Sequence, residues 1–535
     1  MDSPEFIAGM REWGYGVTAF TPRKAGTGSR TVEESQEAEG GQAARSPARA
    51  AASFRVKVEL ENFYVHRAVG DQGGGRDEIY WCTSTSSDKV SGRGFKSEEF
   101  GAVTGGDTCT FSTSKRTVFD NQASTGLVLH IQCWEADQST SAWYDALQRA
   151  LNELSDHIFS TWWWNMAGVL PGTDIVGYMG ELVVLFAWLM DHLRNDDDLS
   201  CQRLIALDQF DLALLARRGR TNWHFDGDGY HELRVKYSGD MVPFPVGTLE
   251  YVVEGDDGWG DPITLPWESM SAPALAVYGG KLYASYIHEN DNAVMLTVRD
   301  GHTWSEPQRI SNWASYHAPA LAAHDGKLHC VLVGHNDYVY WSTFDGTSWR
   351  ALTELDRHRA STAVSLCQGP SMAVGVNLLH MVHVGLDGIS RDKVLSGGSW
   401  SDATQDTPWR SEKPISLAWH DSRLWRAKRE SPTDLTVRLG NGRYSTFAGR
   451  TEWSDIGPQP VQTLHGPTLT VHNNTMRFLY RSTNGNLYIA FPRSGGVGVG
   501  VPKLVAREGP VKPMAESAAA SHDGKLFVMY HRSPS

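Results

Sequence analysis

Cysteine is scarce in this sequence. There are six in 535 residues, at positions 82, 109, 133, 201, 330 and 367, and no two stand close enough for a zinc-knuckle spacing. They are free thiols or a few disulfides, and spacing does not choose between these. Basic charge is short as well: 49 Lys and Arg against 62 Asp and Glu leave a formal charge of −13. That excludes nucleic acid, or an anionic membrane, as a partner held by charge alone. The apolar run Leu182–Met190 is far shorter than the ~20 residues a bilayer span needs, and Glu181, Asp191 and His192 flank it. Residues 1–23 carry Asp2 and Glu5 and lack an apolar core, so no secretory signal is expected. The expected location is the cytoplasm, or outside the cell by a non-classical route. No Ser-His-Asp set, phosphate-cradling glycine loop or His-Glu-x-x-His motif stands out.

Tryptophan, in contrast, is plentiful at 20 residues, and one pattern in the second half returns six times. Its first copy runs Ala272-Pro273-Ala274-Leu275, then Gly279-Gly280-Lys281-Leu282-Tyr283, and closes at Asp300-Gly301-His302-Thr303-Trp304. The second runs Ala318-Pro319, Asp325-Gly326-Lys327-Leu328 and Asp345-Gly346-Thr347-Ser348-Trp349. Weaker copies anchor at Leu379, Leu424, Met476 and Leu526. Short strands and Asp-Gly turns at a period near ~40–50 residues predict the blades of a β-propeller. The sixth copy reaches the last residue with only two strands. Its missing half precedes the first copy, at Thr248–Val253 and Asp256-Asp257-Gly258-Trp259. Residues 247–535 are therefore expected to form six blades, with strands from both ends sharing one blade and leaving no open sheet edge.

Residues 1–52 are expected to be disordered, because 24–52 lack aromatics and cannot bury enough apolar surface. Residues 53–240 read as a second, β-rich domain. Alternation at Phe54–Leu60, Leu127–Trp134 and His231–Tyr237 marks its strands. Acidic residues cluster at strand ends: Asp77-Glu78-Ile79-Tyr80, Glu135-Ala136-Asp137 and Asp197-Asp198-Leu199-Ser200. This arrangement resembles a C2 domain, with Glu78, Glu135 and Ser200 departing from that family's pattern. The resemblance implies a β-sandwich with calcium at Asp77, Glu135, Asp137, Asp197 and Asp198, since a hard cation wants several carboxylate oxygens. The alternative is acids that merely solvate the loops. Between them, residues 141–193 read as an inserted α-helical hairpin. Leu147, Leu151, Leu154 and Ile158 form one apolar stripe, and Trp162-Trp163-Trp164 lies at the turn. It either packs on the protein or dips into a membrane surface.

The Asp-Gly-x-x-Trp closings are similar to the Asp-box turns of sialidases, which say fold and not activity. The early Arg-Ile-Pro motif of that family is absent; Arg309-Ile310-Ser311 is the nearest trace. The repeat also resembles six-bladed lectin propellers of bacteria and fungi, which implies sugar sites between blades. His288, Arg429, Arg481 and Arg532, at the ends of second strands, are the candidates, while Gly334 and Gly385 hold that place in two blades. Each is otherwise a plain polar rim residue. The expectation is a mainly β protein: a C2-like sandwich carrying a helical hairpin, then a lectin-like propeller that binds a glycan or cell surface, with lipid a further partner and a toxin-like role joining the halves. The competing expectation is a sialidase-like glycoside hydrolase.

Overall fold

In the computed structural model, residues 53–69, 77–136, most of 145–159, 198–356 and most of 370–532 are described. The N-terminal stretch 1–52, Asp137, Asp197, Leu154, Ile158, the tryptophan run 162–164 and the run 182–190 lie outside the described residues. From Ala50 onward the chain is one compact unit, and it is mainly β.

Two five-stranded antiparallel sheets come first. One is built around Phe54–Arg67, which pairs with Tyr230–Tyr237, Thr108–Thr110 and Thr117–Ala123. The other places Gly126–Glu135 between Asp77–Ser87 and Asp198–Asp208. In Phe54–Arg67 the buried positions switch parity, from Val56, Val58 and Leu60 to Phe63 and Val65. A register shift between Leu60 and Asn62 accounts for the switch: one extra residue turns the strand over, so both halves keep their apolar side inward. Trp81 of the second sheet meets Phe63 and Phe225 of the first, at centroid distances of 5.5 and 5.2 Å. The two sheets thus share one apolar core.

The second sheet is buried on its far side too. Tyr80, Cys82, Val128 and Trp134 lie against Leu147 and Leu151, the described members of the helical stripe. Ser84 Oγ donates to Leu151 O (3.1 Å), and Asn152 Oδ1 accepts from Gly94 N (2.7 Å). Gly94 is required there, since a Cβ would sit 2.3 Å from Leu151 Cβ. No helix among the described residues is long and apolar enough to cross a membrane.

A helix unforeseen in the sequence, α1 (Gln209–Arg218), follows the second sheet. Asp208 caps it in a reciprocal box with Asp211, and Gly219 ends it in the left-handed region at φ 67°.

Among the described residues, the remaining strands make six four- or five-stranded sheets. Their inner strands are Ala274–Tyr278, Ala320–His324, Ser371–Gly375, Ser416–His420, Thr468–His472 and Ala518–His522 (blades 1 to 6). Each lies beside the next, and Ala518–His522 lies beside Ala274–Tyr278, so the ring is closed. In blade 6, Gly247–Gly255 pairs with Lys525–Arg532 without a break, from Thr248↔Arg532 to Glu254↔Leu526. Every inner hairpin turns on two residues with positive φ: Gly279-Gly280, Asp325-Gly326, Val376-Asn377, Asp421-Ser422, Asn473-Asn474 and Asp523-Gly524. This is the primed turn that matches strand twist, and it explains the recurrent Gly, Asn and Asp. Asp345 shows how a closing turn works. Its Oδ1 accepts from Thr347 N (2.8 Å) and Ser348 N (2.9 Å), and the hydrogen bonds it accepts, that from the Thr347 side chain first, lower its pKa to about 2.

Candidate functional site: the propeller rim

The second strands of the blades end on one face of the ring, and the four sequence candidates stand there in unequal surroundings. His288 follows Lys281–Ile287 of blade 1, its Nδ1 2.9 Å from Asp291 Oδ1 and its Nε2 3.3 Å from Glu289 Oε2. Arg309 pairs with the same Asp291. The backbone of His288 bridges to Ser269 of blade 6, on the strand that carries the half-buried Trp267. Arg532 ends the second strand of blade 6, half-exposed, with Nη1 3.2 Å from Glu250 Oε1. Glu250 is buried and accepts further bonds from Thr264 Oγ1 (3.1 Å) and the Tyr530 hydroxyl (3.2 Å).

Arg481, in blade 5, is not a rim group in solvent. It is 1% exposed, and its guanidinium lies 5.5 Å from the centroid of the Tyr530 ring of blade 6. The structure thus brings Arg481 and Arg532 to one seam: Arg481 lies over the Tyr530 ring, and Glu250 accepts from both the Tyr530 hydroxyl and Arg532. Glu250 and Tyr530 were not among the sequence candidates. The pairing Glu250↔Tyr530 within the shared blade would have pointed to them.

Arg429, in blade 4, is buried beneath α1. The Asp211 carboxyl is fully buried, and that burial, with Asp208 beside it, pushes its pKa well up; Lys413 and Arg429 pull it back. Lys413 also pairs with Asp208 at 3.5 Å. Arg218 at the other end of α1 pairs with Asp337 of blade 2. Phe210 meets the buried His317 edge-on at 6.1 Å, and Arg410 of blade 3 pairs with Asp226 at 3.1 Å. These ion pairs and ring contacts of the first two sheets and α1 fall on blades 2, 3 and 4, and the apolar core of the two sheets runs on into Ile287 and Val294 of blade 1. His288 and Arg532 stand on blades 1 and 6. At Gly385 of blade 3 a Cβ would fall 1.8 Å from Arg391 Nη1, so Arg391, paired with Asp387 at 2.7 Å, fills the candidate position.

The acidic candidates spread along one end of the second sheet. The register sets Ile79 opposite Glu135, and Glu135 opposite Asp198, with Asp77 two residues before Ile79. Asp77 is buried, and its Oδ2 accepts from Val69 N at 2.6 Å. Asp137 and Asp197 are not described. The five described cysteines are free thiols.

No family model matches the chain, and no curated protein matches its sequence. Solved structures similar to it include a six-bladed fungal lectin from Aleuria aurantia, described as having a novel fucose recognition mode (14% identity, 49% of this chain and 87% of that one, TM-score 0.39). Another is a lectin from Burkholderia pseudomallei (12% identity, 57% and 92%, TM-score 0.38). A third is a Trypanosoma rangeli sialidase in complex with sialic acid (11% identity, 53% and 57%, TM-score 0.34).

Proposed function

We propose that the chain is a non-catalytic glycan-binding protein whose sugars dock at the rim seams of blades 5, 6 and 1. One observation carries the reading: the ion pairs of α1 and its neighbours fall on blades 2 to 4, whereas Arg532 (side chain 50% exposed) and His288 (32%) keep exposed side chains. Both are held by acidic partners, so their donors are oriented before a ligand arrives. Trp267, on the strand bridged to His288, adds an apolar ring face of the kind a sugar stacks on. His288→Ala should weaken retention on a glycan surface at least tenfold with the melting temperature unchanged, and Arg532→Ala should weaken it as much while also lowering the melting temperature, because buried Glu250 loses its cation. Arg429→Ala should lower the melting temperature too, because it leaves Asp211 buried without that charge. Full retention by both rim variants would reject the assignment.

The same reading has the propeller select a cell surface while the first two sheets approach lipid, a toxin-like division of labour. Calcium at Glu135, Asp198 and their acidic neighbours belongs to it, supported by the register that sets Asp77, Glu135 and Asp198 at one end of three adjacent strands. Saturating calcium should then raise the melting temperature through binding to the folded state alone, about 2.7 kcal/mol at a hundredfold excess over Kd. A flat melting temperature across a calcium titration removes the metal from the account.

A second reading, a glycoside hydrolase, is favoured by the Tyr530–Glu250 pair with Arg481 and Arg532 beside it. Some glycosidases use a tyrosine nucleophile. Tyr530 is 1% exposed, however, and its hydroxyl donates to Glu250, so the pair serves the seam in this conformation.

A further inference from the structure

On the first sheet, three side chains from three strands converge beside blade 3, whose Arg410 pairs with Asp226 next to them. His66 closes Phe54–Arg67, Glu232 lies in Tyr230–Tyr237, and His224 lies in Arg220–Asp226. Glu232 stands directly opposite His224 in the ladder. His66 is the extra residue where the register shifts between Val65 and Arg67, the kind of irregularity that re-aims a side chain. One ligating atom from each residue falls within 4.8 Å of the others, and His66 Nε2 is 3.4 Å from Glu232 Oε2. Bonds of ~2.0–2.2 Å in a tetrahedral site separate nitrogen and oxygen ligands by roughly 3.4 Å.

The groups behind these three are placed as outer supports would be. Tyr230 Oη lies 3.2 Å from His224 Nδ1, which fixes that imidazole through one ring nitrogen. Asn222 Nδ2 donates to Glu232 Oε1, and so aims the carboxylate. The Tyr230 ring stacks on His66 at 4.4 Å with an interplanar angle of 18°, which sets the second imidazole. Ligating imidazoles and carboxylates are commonly held in this way. His66 is exposed and the other two are half-buried, so an ion reaches the cluster from solvent.

We propose that His66, His224 and Glu232 form a binding site for a divalent transition cation of the zinc class, with one coordination position left open. Two imidazoles and one carboxylate suit zinc and its neighbours rather than calcium or magnesium, which take oxygen ligands. The site is independent of glycan binding and of the acidic end of the second sheet. A different trio, Cys133, Cys201 and His231, also brings ligating atoms within 4.8 Å, but all three are buried in the core.

The test is calorimetric titration of the full chain, stripped of metal with a chelator, using zinc alone. One equivalent should bind. His66→Ala and Glu232→Gln should each weaken it at least a hundredfold, and Tyr230→Phe, a positioning change, by 10- to 100-fold. The metal-free variants should melt as the parent does, and zinc should raise the melting temperature of the parent but not of His66→Ala or Glu232→Gln. Cobalt in place of zinc should give visible bands without thiolate charge transfer. No binding, unchanged affinity in both ligand variants, or a thiolate charge-transfer band each overturns the proposal, the last by sending the ion to Cys133 and Cys201.

Discussion

A chain ending at residue 517 should lose cooperative melting of the whole propeller, not of one blade. The truncation removes the inner two strands of blade 6, including Leu526, Phe527, Val528, Met529 and Tyr530, each 3% exposed or less. Burial of such side chains is worth about 1.5–3 kcal/mol apiece, and a domain's whole stability is about 5–15 kcal/mol. The loss does not stop at those contacts. Gly247–Gly255 loses its seven-residue ladder to Lys525–Arg532, and the inner strands of blades 5 and 1 lose their neighbour on that side. Circular dichroism melts and calorimetry report the outcome. A sharp transition at the parental temperature would mean the ring does not depend on its closure.

Arg426→Ala should destabilise by about 3–5 kcal/mol, the cost of breaking a buried ion pair from one side. Arg426 is 1% exposed and lies between Trp409 (3.7 Å) and Trp453 (4.0 Å), with Nη1 2.6 Å from Asp406 Oδ2. Removing it strands Asp406 and opens a slot between two indoles. Asp392, which accepts from Trp453 Nε1, is fully buried, and that burial raises its pKa to about 6 against the opposing charge of Arg426. A carboxyl raised in the folded state favours folding at low pH. Its contribution is complete below the ordinary value near ~4 and is lost as pH rises through about 6. The parent's stability should carry this fall between pH 4 and 6. Asp392→Asn should remove it, and Arg426→Ala should move it to higher pH. A pH profile identical in parent and Asp392→Asn would refute the assignment, and a loss under 1 kcal/mol in Arg426→Ala would refute the burial argument.

The propeller's repeat is legible because a local demand recurs. Each inner hairpin needs two residues at positive φ, and few residue types tolerate that, so Gly-Gly, Asp-Gly and Asn-Asn mark the turns. The copy at Val376-Asn377 is faint because a β-branched residue holds the left-handed place there. Helix α1 was within reach of the sequence: Asp208, Asp211 and Gly219 spell a start and a stop directly after the strand that ends at Asp208. What covers the rim was not within reach. Arg429 and Asp211 meet only because α1 folds onto blade 4, and no local spacing reports a contact between distant segments. Arg481 failed in the same way. A strand end predicts exposure, but Tyr530 comes from the next blade and buries it. The His66, His224 and Glu232 cluster likewise exists only through the ladder of three strands.

The most direct measurement is to incubate the full chain with a glycan microarray and analyse both the retained protein and the eluted sugars by mass spectrometry. The account predicts retention on a defined subset of glycans, each recovered intact, and loss of that retention in Arg532→Ala and His288→Ala. Absence of retention on every glycan, or release of cleaved sugar that stops in Tyr530→Phe, would contradict it.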